Sequence, residues 1–154
     1  MFNNLILRPA EEHDLPEIVR LFIEDDLGAT REALADPLPQ SYYKAFQEIR
    51  SDKNQTVFVL EDKENIIATY HLTFMPSLSF KGSKRLNIEN FHVDKRFQNQ
   101  GIGTWMITQA IAMGKEKGCG FIQLTTNKKR TQAKTFYEKL GFIPSHEGMK
   151  LYLT

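Results

Sequence analysis

The stretch Val93-Asp94-Lys95-Arg96-Phe97-Gln98-Asn99-Gln100-Gly101-Ile102-Gly103-Thr104 decides how this chain is read. An alternating run ends at Val93, a polar loop follows, and two glycines open a long stretch of helical character. A helix N-terminus offers N–H groups with no intrahelical partner and the positive end of a dipole. Glycines let the backbone come close to a ligand. Together these make a physical recipe for holding a diphosphate. A Walker A loop is excluded, because Gly103 is followed by Thr104 and Trp105 rather than Lys and Ser/Thr. A dinucleotide fingerprint is excluded too, because its third glycine falls on Met106. The spacing alone also fits two glycines that only shape a tight turn.

Outward from this loop, the periods alternate between strand and helix. Upstream, Leu86 to Val93 predicts a strand, Ile66 to Phe74 a longer one stopped by Pro76, and Thr56 to Leu60 a third, with the polar turn 62–65 between the last two. Earlier still, Tyr42, Ala45, Phe46 and Ile49 predict a helix from about Gln40 to Arg50. Leu15, Ile18, Val19 and Phe22 predict one that starts at Asp14, with Glu17 at capping-box spacing and Pro16 in the first turn. Leu5 to Arg8 is a short strand. Downstream, a helix is expected from Gly101 to Lys117 and a strand from Gly120 to Thr126. A last helix carries Ala133, Phe136, Tyr137 and Leu140, with Thr131 as its cap and Gly141 as its stop. A final strand is expected at Met149 to Leu153. The order is βααβββαβαβ, with antiparallel hairpins in the middle and a parallel crossover from Leu86 to Thr126.

At 154 residues the chain has room for one domain, 1–154. Its 41% hydrophobic, 25% charged and 11% aromatic content is that of an ordinary globular protein. Twenty Lys and Arg against 19 Asp and Glu leave a net charge of +1, which gives no overall field for nucleic acid or an anionic membrane. No apolar run approaches the ~18 residues of a membrane span. The N-terminus lacks the pattern of a secretory leader. Cys119, the single cysteine, has no partner for an internal disulfide, so the expected location is the cytoplasm. The four histidines show no ligand spacing, and no metal is expected.

A second motif sharpens the reading: Asn127, then Ala133-Lys134-Thr135-Phe136-Tyr137-Glu138-Lys139-Leu140-Gly141-Phe142. With Gln98 to Gly103 it resembles the GNAT superfamily of acetyl-CoA-dependent N-acetyltransferases. In that family a Gln/Arg-x-x-Gly-x-Gly/Ala loop precedes an Ala-x-x-Phe-Tyr-x-x-x-Gly-Phe helix by about 30 residues. The resemblance implies an α/β (α+β) fold with a mixed, mostly antiparallel sheet of six to seven strands flanked by four helices. It implies that Phe91, His92 and Val93 offer backbone groups to the pantetheine arm of acetyl-CoA, and that Asn127 hydrogen-bonds it. The backbone amides of Asn99, Gln100, Gly101, Ile102, Gly103 and Thr104, with Gln98, would wrap the pyrophosphate. Many members have Arg or Lys where this chain has Asn99 and Gln100, so its loop relies on amides and the dipole. Tyr137 would stand near the thioester sulfur, and the Val93 N–H is the oxyanion donor that the resemblance suggests. It is compatible with a homodimer.

Amine acetylation needs a neutral amine, and a lysine-like ammonium near pKa 10.4 supplies little of it at pH 7. Glu89 is the candidate base. Strict two-residue alternation puts it on the face of Phe91 and Val93, among apolar neighbours that would raise its pKa. It also fits a plain ion pair with a neighbouring strand. His71 and His92 are rivals with a better intrinsic pKa. Glu24, Asp25 and Asp26 crowd the end of the first helix; Asp25 and Asp26 suit an acidic rim for a cationic amine, with the Gly28 loop as part of a lid, or a solvated helix end. Lys128, Lys129 and Arg130 suit a solvated turn or contact with a CoA phosphate. The leading expectation is acetyl transfer from acetyl-CoA to a primary amine, on a small molecule or a protein, by direct attack in a ternary complex. The alternatives are a non-catalytic CoA-binding sensor or regulatory module, and an interaction domain whose loop is structural.

Overall fold

Alternation in the central strands leaves two apolar faces, and each is covered by helix. The structure is a computed structural model that describes residues 2–154. Contacts divide the chain into two compact units, Met1–Gln123 and Leu124–Thr154. The first unit carries the strands β1 (Leu5–Pro9), β2 (Gln55–Asp62), β3 (Asn65–Met75) and β4 (Lys84–Val93) and most of β5 (Cys119–Leu124), side by side in that order. Pairings β1–β2, β2–β3 and β3–β4 are antiparallel. A Cβ on Gly120 would overlap Ser83, and Gln123 meets Asn87 at 3.4 Å. The two contacts climb β4 and β5 in the same direction, so these strands run parallel, as a crossover through a helix requires.

Helices α1 (Leu15–Ile23) and α3 (Gln40–Ser51) cover one face. Ile18, Val19, Phe46 and Val59 are buried in the core between them and the sheet. Helix α5 (Ile102–Glu116) covers the other: the Tyr70 hydroxyl donates to Met106 O at 3.3 Å, and Gly114 lies against Leu86 and Ile122. Two one-turn segments have too few residues for a periodicity to show in the sequence, α2 (Asp26–Ala29) and α4 (Ser79–Gly82). Among the described residues no helix is long and apolar enough to cross a membrane.

The second unit holds α6 (Thr131–Lys139), which stops at Gly141 with φ +97° as its sequence predicts. Phe136, Tyr137 and Phe142 pack edge to face there. The expected strand at Met149 to Leu153 does not form, and the described residues make a sheet of five strands rather than six or seven, with six α-helical segments rather than four. Met149, Leu151 and Leu153 alternate as a strand would but stand 92%, 87% and 89% exposed. Alternation records side chains, whereas a strand also needs a backbone partner, and this segment has none among the described residues.

Gly28 shows how tightly the turn after α1 is built. Its N–H bonds the Asp25 carboxylate at 2.6 Å, and a Cβ there would overlap the Phe22 carbonyl. The Gly28 loop, expected as part of a lid, is a packed turn with Gly28 buried. Gly28→Ala is expected to cost about 1–3 kcal/mol, a fall of roughly 2–4 °C in melting temperature per kcal/mol. Thermal and urea denaturation of parent and variant measure it; equal stability would show that the turn can give way.

Candidate functional site

The site begins with a fault in β4. Ala68 and Thr69 pair with Val93 and His92, yet His71 pairs with Glu89, so Asn90 and Phe91 together oppose Tyr70. Asn90 takes up the extra residue at φ +53°, which makes a β-bulge. The bulge breaks the two-residue alternation and overturns the face expected for Glu89. Glu89 shares a face with His71, Thr69 and His92, on the α1–α3 side. Phe91 sits against Tyr70 on the α5 side, with ring centroids 5.9 Å apart. The apolar setting expected around Glu89 is absent as well: its side chain is 49% exposed, and His71 Nδ1 lies 3.8 Å from it.

The groups around His71 fix its tautomer. The Gln55 amide donates to the Asp52 carboxylate at 2.7 Å, which leaves its oxygen facing His71 Nε2 at 2.9 Å. Nε2 must therefore carry the proton, and the Nδ1 lone pair faces Glu89. Burial holds this imidazole below its ordinary pKa, against the opposing pull of Glu89. Further along the same face His92 Nδ1 approaches Asp25 at 3.9 Å, and its ring lies 5.2 Å from that of Phe22. Asp26 is exposed on α2. Of the expected acidic rim, Asp25 thus reaches the strand, while Glu24 is bound to Arg20 and to the Lys95 N–H.

Beyond β4 the backbone turns into the loop. Asp94 N–H bonds Ile67 O at 2.8 Å, so by the alternation of an antiparallel ladder the Val93 N–H points away from β3. The Val93 carbonyl accepts from the Gln98 side chain at 2.9 Å, and Gln100 braces the loop through Arg96 O at 3.2 Å. Asn99 and Gly101 take left-handed φ values of +61° and +85°. The first backbone bond of α5 runs from Trp105 N–H to Gly101 O, so the N–H groups of Ile102, Gly103 and Thr104 are open at the helix end. Open N–H groups thus stand at the loop expected to wrap a pyrophosphate, while Gln98 and Gln100 are engaged through their side chains in holding the loop.

Asp94 was not singled out in the sequence, and it anchors all of this. Its side chain is 2% exposed and pairs with Arg96 at 2.8 Å and with Arg20 of α1 at 3.1 Å. It also caps the turn Lys95–Phe97 through Arg96 N–H. Hydrogen bonds from Arg96, backbone donation and Arg20 outweigh burial and hold its pKa at about 2. The signal was present in an Asp at the strand end followed by a basic pair, the pattern of a capped turn. Gln55 and Asn90 were missed as well.

In the second unit, the Asn127 side chain caps its own turn by accepting from Lys129 N–H at 2.9 Å. Burial among aromatic rings pushes the Tyr137 phenol up to about 12. Lys128 meets Glu147 at 3.5 Å. No group of three or more His, Cys, Asp or Glu is placed to hold a metal among the described residues.

Residues 16–142 match the model of the acetyltransferase (GNAT) family. A crystal structure described as a transcriptional regulator from Bacillus halodurans C-125 aligns with a TM-score of 0.94 and 43% identity, covering 97% of this chain and 99% of that one. A crystal structure described as a predicted acetyltransferase with acetyl-CoA from Clostridium acetobutylicum shares the fold at a TM-score of 0.74 and 22% identity over 97% of this chain and 96% of that one. Glucosamine 6-phosphate N-acetyltransferase of Trypanosoma brucei brucei is 29% identical over 97 residues, 63% of this chain and 64% of that protein. That match therefore spans less than two thirds of the curated relative.

Asp94→Asn tests the anchor. The folded pKa of about 2 lies below the ordinary 3.8, so the ionised group adds stability above pH 4 that is lost as pH falls towards 2. The variant is expected to lose about 1–3 kcal/mol at pH 7 and to show a flatter fall between pH 4 and 2. Denaturant titrations across that range measure both; an unchanged acid limb would remove Asp94 from this role.

Proposed function

The chain belongs to the acetyltransferase (GNAT) family, and from that premise we propose that it moves an acetyl group from acetyl-CoA to a primary amine in a ternary complex. The observation that carries this is the loop after Val93, where a strand N–H turned from its neighbour precedes three open N–H groups at the start of α5. Gly101, at φ +85°, gives that loop its close approach. The family match runs across both compact units, which supports reading 1–154 as one acetyltransferase domain. A lone cysteine fits a reducing compartment such as the cytoplasm.

Acetyl-CoA supplies the acetyl group as a thioester: the neutral amine nitrogen forms the new C–N bond, the C–S bond breaks, and the proton that the nitrogen then loses balances the charge of the departing CoA thiolate. The backbone N–H groups of Asn99 to Thr104 hold the pyrophosphate, and backbone groups of Phe91, His92 and Val93 serve the pantetheine. Asn127 is the further pantetheine contact of this reading. The Val93 N–H donates to the carbonyl oxygen as charge develops on it. Glu89 takes the ammonium proton, and the Nδ1 lone pair of His71 is a second acceptor 3.8 Å behind it. Asp25 and Asp26 draw the cationic amine towards this face. Tyr137 is assigned to the departing sulfur. A phenol at about 12 gives a hydrogen bond there rather than its proton.

A second reading, a CoA-binding regulatory module without turnover, is favoured by the description of the 43%-identical structure as a transcriptional regulator. It keeps the loop and does not need Glu89. Release of free thiol from acetyl-CoA against an amine library separates the two.

Gly103→Pro removes one open N–H at a position where the helix does not use it. It is expected to weaken CoA binding in calorimetry by about tenfold or more, an interaction of a charge-assisted kind, with little change in melting temperature. Binding equal to the parent would move the site elsewhere. Glu89→Gln is expected to spare CoA binding and lower turnover by roughly a hundredfold. That loss should shrink as pH rises, since more amine is already neutral. A constant ratio across pH would mean that Glu89 positions the substrate; identical profiles would leave His71 as the base.

A further inference from the structure

Between α1, α3 and the sheet lies a cavity of about 160 Å³. Ile18 and Phe22 of α1, Phe46 and Ile49 of α3 and Val57 of β2 give it apolar walls. Polar side chains reach it at Thr69, His71, Asn90 and Tyr42. Three of these are already engaged: the Thr69 hydroxyl donates to Phe58 O at 2.7 Å, the Tyr42 hydroxyl accepts from Ala33 N–H at 2.9 Å, and His71 Nε2 meets the Gln55 oxygen at 2.9 Å. Among the described residues no Lys, Arg, Asp or Glu lines the cavity. Glu89 stands next to it, beside His71 and half exposed.

We propose that the acceptor amine is carried on an apolar body the size of a single ring, seated in this cavity with its amino group turned towards Glu89 and His71. The inference rests on the acetyl-transfer reading and names its substrate class. The volume suits one ring: an apolar cavity of about 150 Å³ takes up benzene. The chemistry is sorted along the cavity in the same sense. A ring gains by leaving water for Phe22, Phe46 and Val57. The ammonium stays at the exposed end, facing the Glu89 side chain. A phosphorylated or polyhydroxylated amine has the opposite needs. Its oxygens would give up water in a cavity whose Thr69, Tyr42 and His71 groups already have partners, and no cation lines the cavity to receive a phosphate. The site is therefore built against glucosamine 6-phosphate, the acceptor named for the Trypanosoma relative.

Ala45 provides the test, because it lines the cavity from α3 and is exposed, so a larger side chain there need not disturb the core. Phenethylamine and glucosamine 6-phosphate are titrated into the CoA-bound protein by calorimetry, and each is assayed for thiol release from acetyl-CoA. Phenethylamine is expected to bind the parent and to bind Ala45→Phe about tenfold more weakly or worse, with CoA affinity and melting temperature unchanged. Its kcat/KM is expected to exceed that of glucosamine 6-phosphate by about tenfold or more. Absent phenethylamine binding, or equal binding to parent and variant, overturns the proposal. Thiol release with glucosamine 6-phosphate in that case leaves acetyl transfer standing and removes the apolar acceptor. Phenethylamine binding that Ala45→Phe abolishes, without thiol release from any amine, upholds the cavity and overturns acetyl transfer.

Discussion

The guanidinium of Arg20 is the joint on which the first unit turns. From α1 it reaches Glu17 at 2.6 Å, Glu24 at 3.0 Å, Asp94 at 3.1 Å and the Ile66 carbonyl at 3.1 Å. One side chain thus ties a helix, the edge of β3 and the end of β4 together. The constraint comes from Asp94, a carboxylate almost without solvent, which must have cations at hand to remain charged. Arg96 supplies one from the loop itself and Arg20 the other from across the fold. The start of the loop is in this way fixed relative to α1, and the helix that walls the proposed acceptor cavity shares an anchor with the loop proposed for the cofactor.

Much of this was legible in the sequence where the signal is local. The turn of Gly101 and the start of α5, the stop at Gly141 and the stripes of α1 and α3 are all set by residues within a turn or two of one another, and the structure has them where the periods predict. Legibility failed where the deciding partner is distant or the deviation is a single residue. Nothing near Glu89 in the chain announces that Asn90 will take a left-handed conformation, so alternation placed Glu89 on the wrong face. Asp94 reads at most as the cap of a local turn, and its tie to Arg20, 74 positions earlier, is visible only in the fold. The apolar alternation from Met149 to Leu153 reads as a strand because side chains alone are counted.

The candidate base illustrates how much the surroundings add to a residue. In the sequence Glu89 is one carboxylate in a strand. In the fold it is the outer member of a row that runs through His71 and Gln55 to Asp52, on three successive strands and the turn before them. Each hydrogen bond settles the orientation of the next group, so the direction of the imidazole is decided at Asp52, on the protein surface. Second contacts of this kind make a side chain's proton inventory a property of the network rather than of the residue.

The bulge at Asn90 divides β4 into two reading frames. Residues 84–89 count in one frame and 91–93 in the other, and Asn90 is the spacer that absorbs the difference. A length change of one residue on either side would invert the faces of that side alone and leave the other in register. The stretch that carries Glu89 and the stretch that leads into the loop are thus mechanically uncoupled within a single strand. Sequence drift can remodel the acceptor side of such a strand without resetting the backbone groups that follow it, and one scaffold can change what it modifies while keeping what it modifies with.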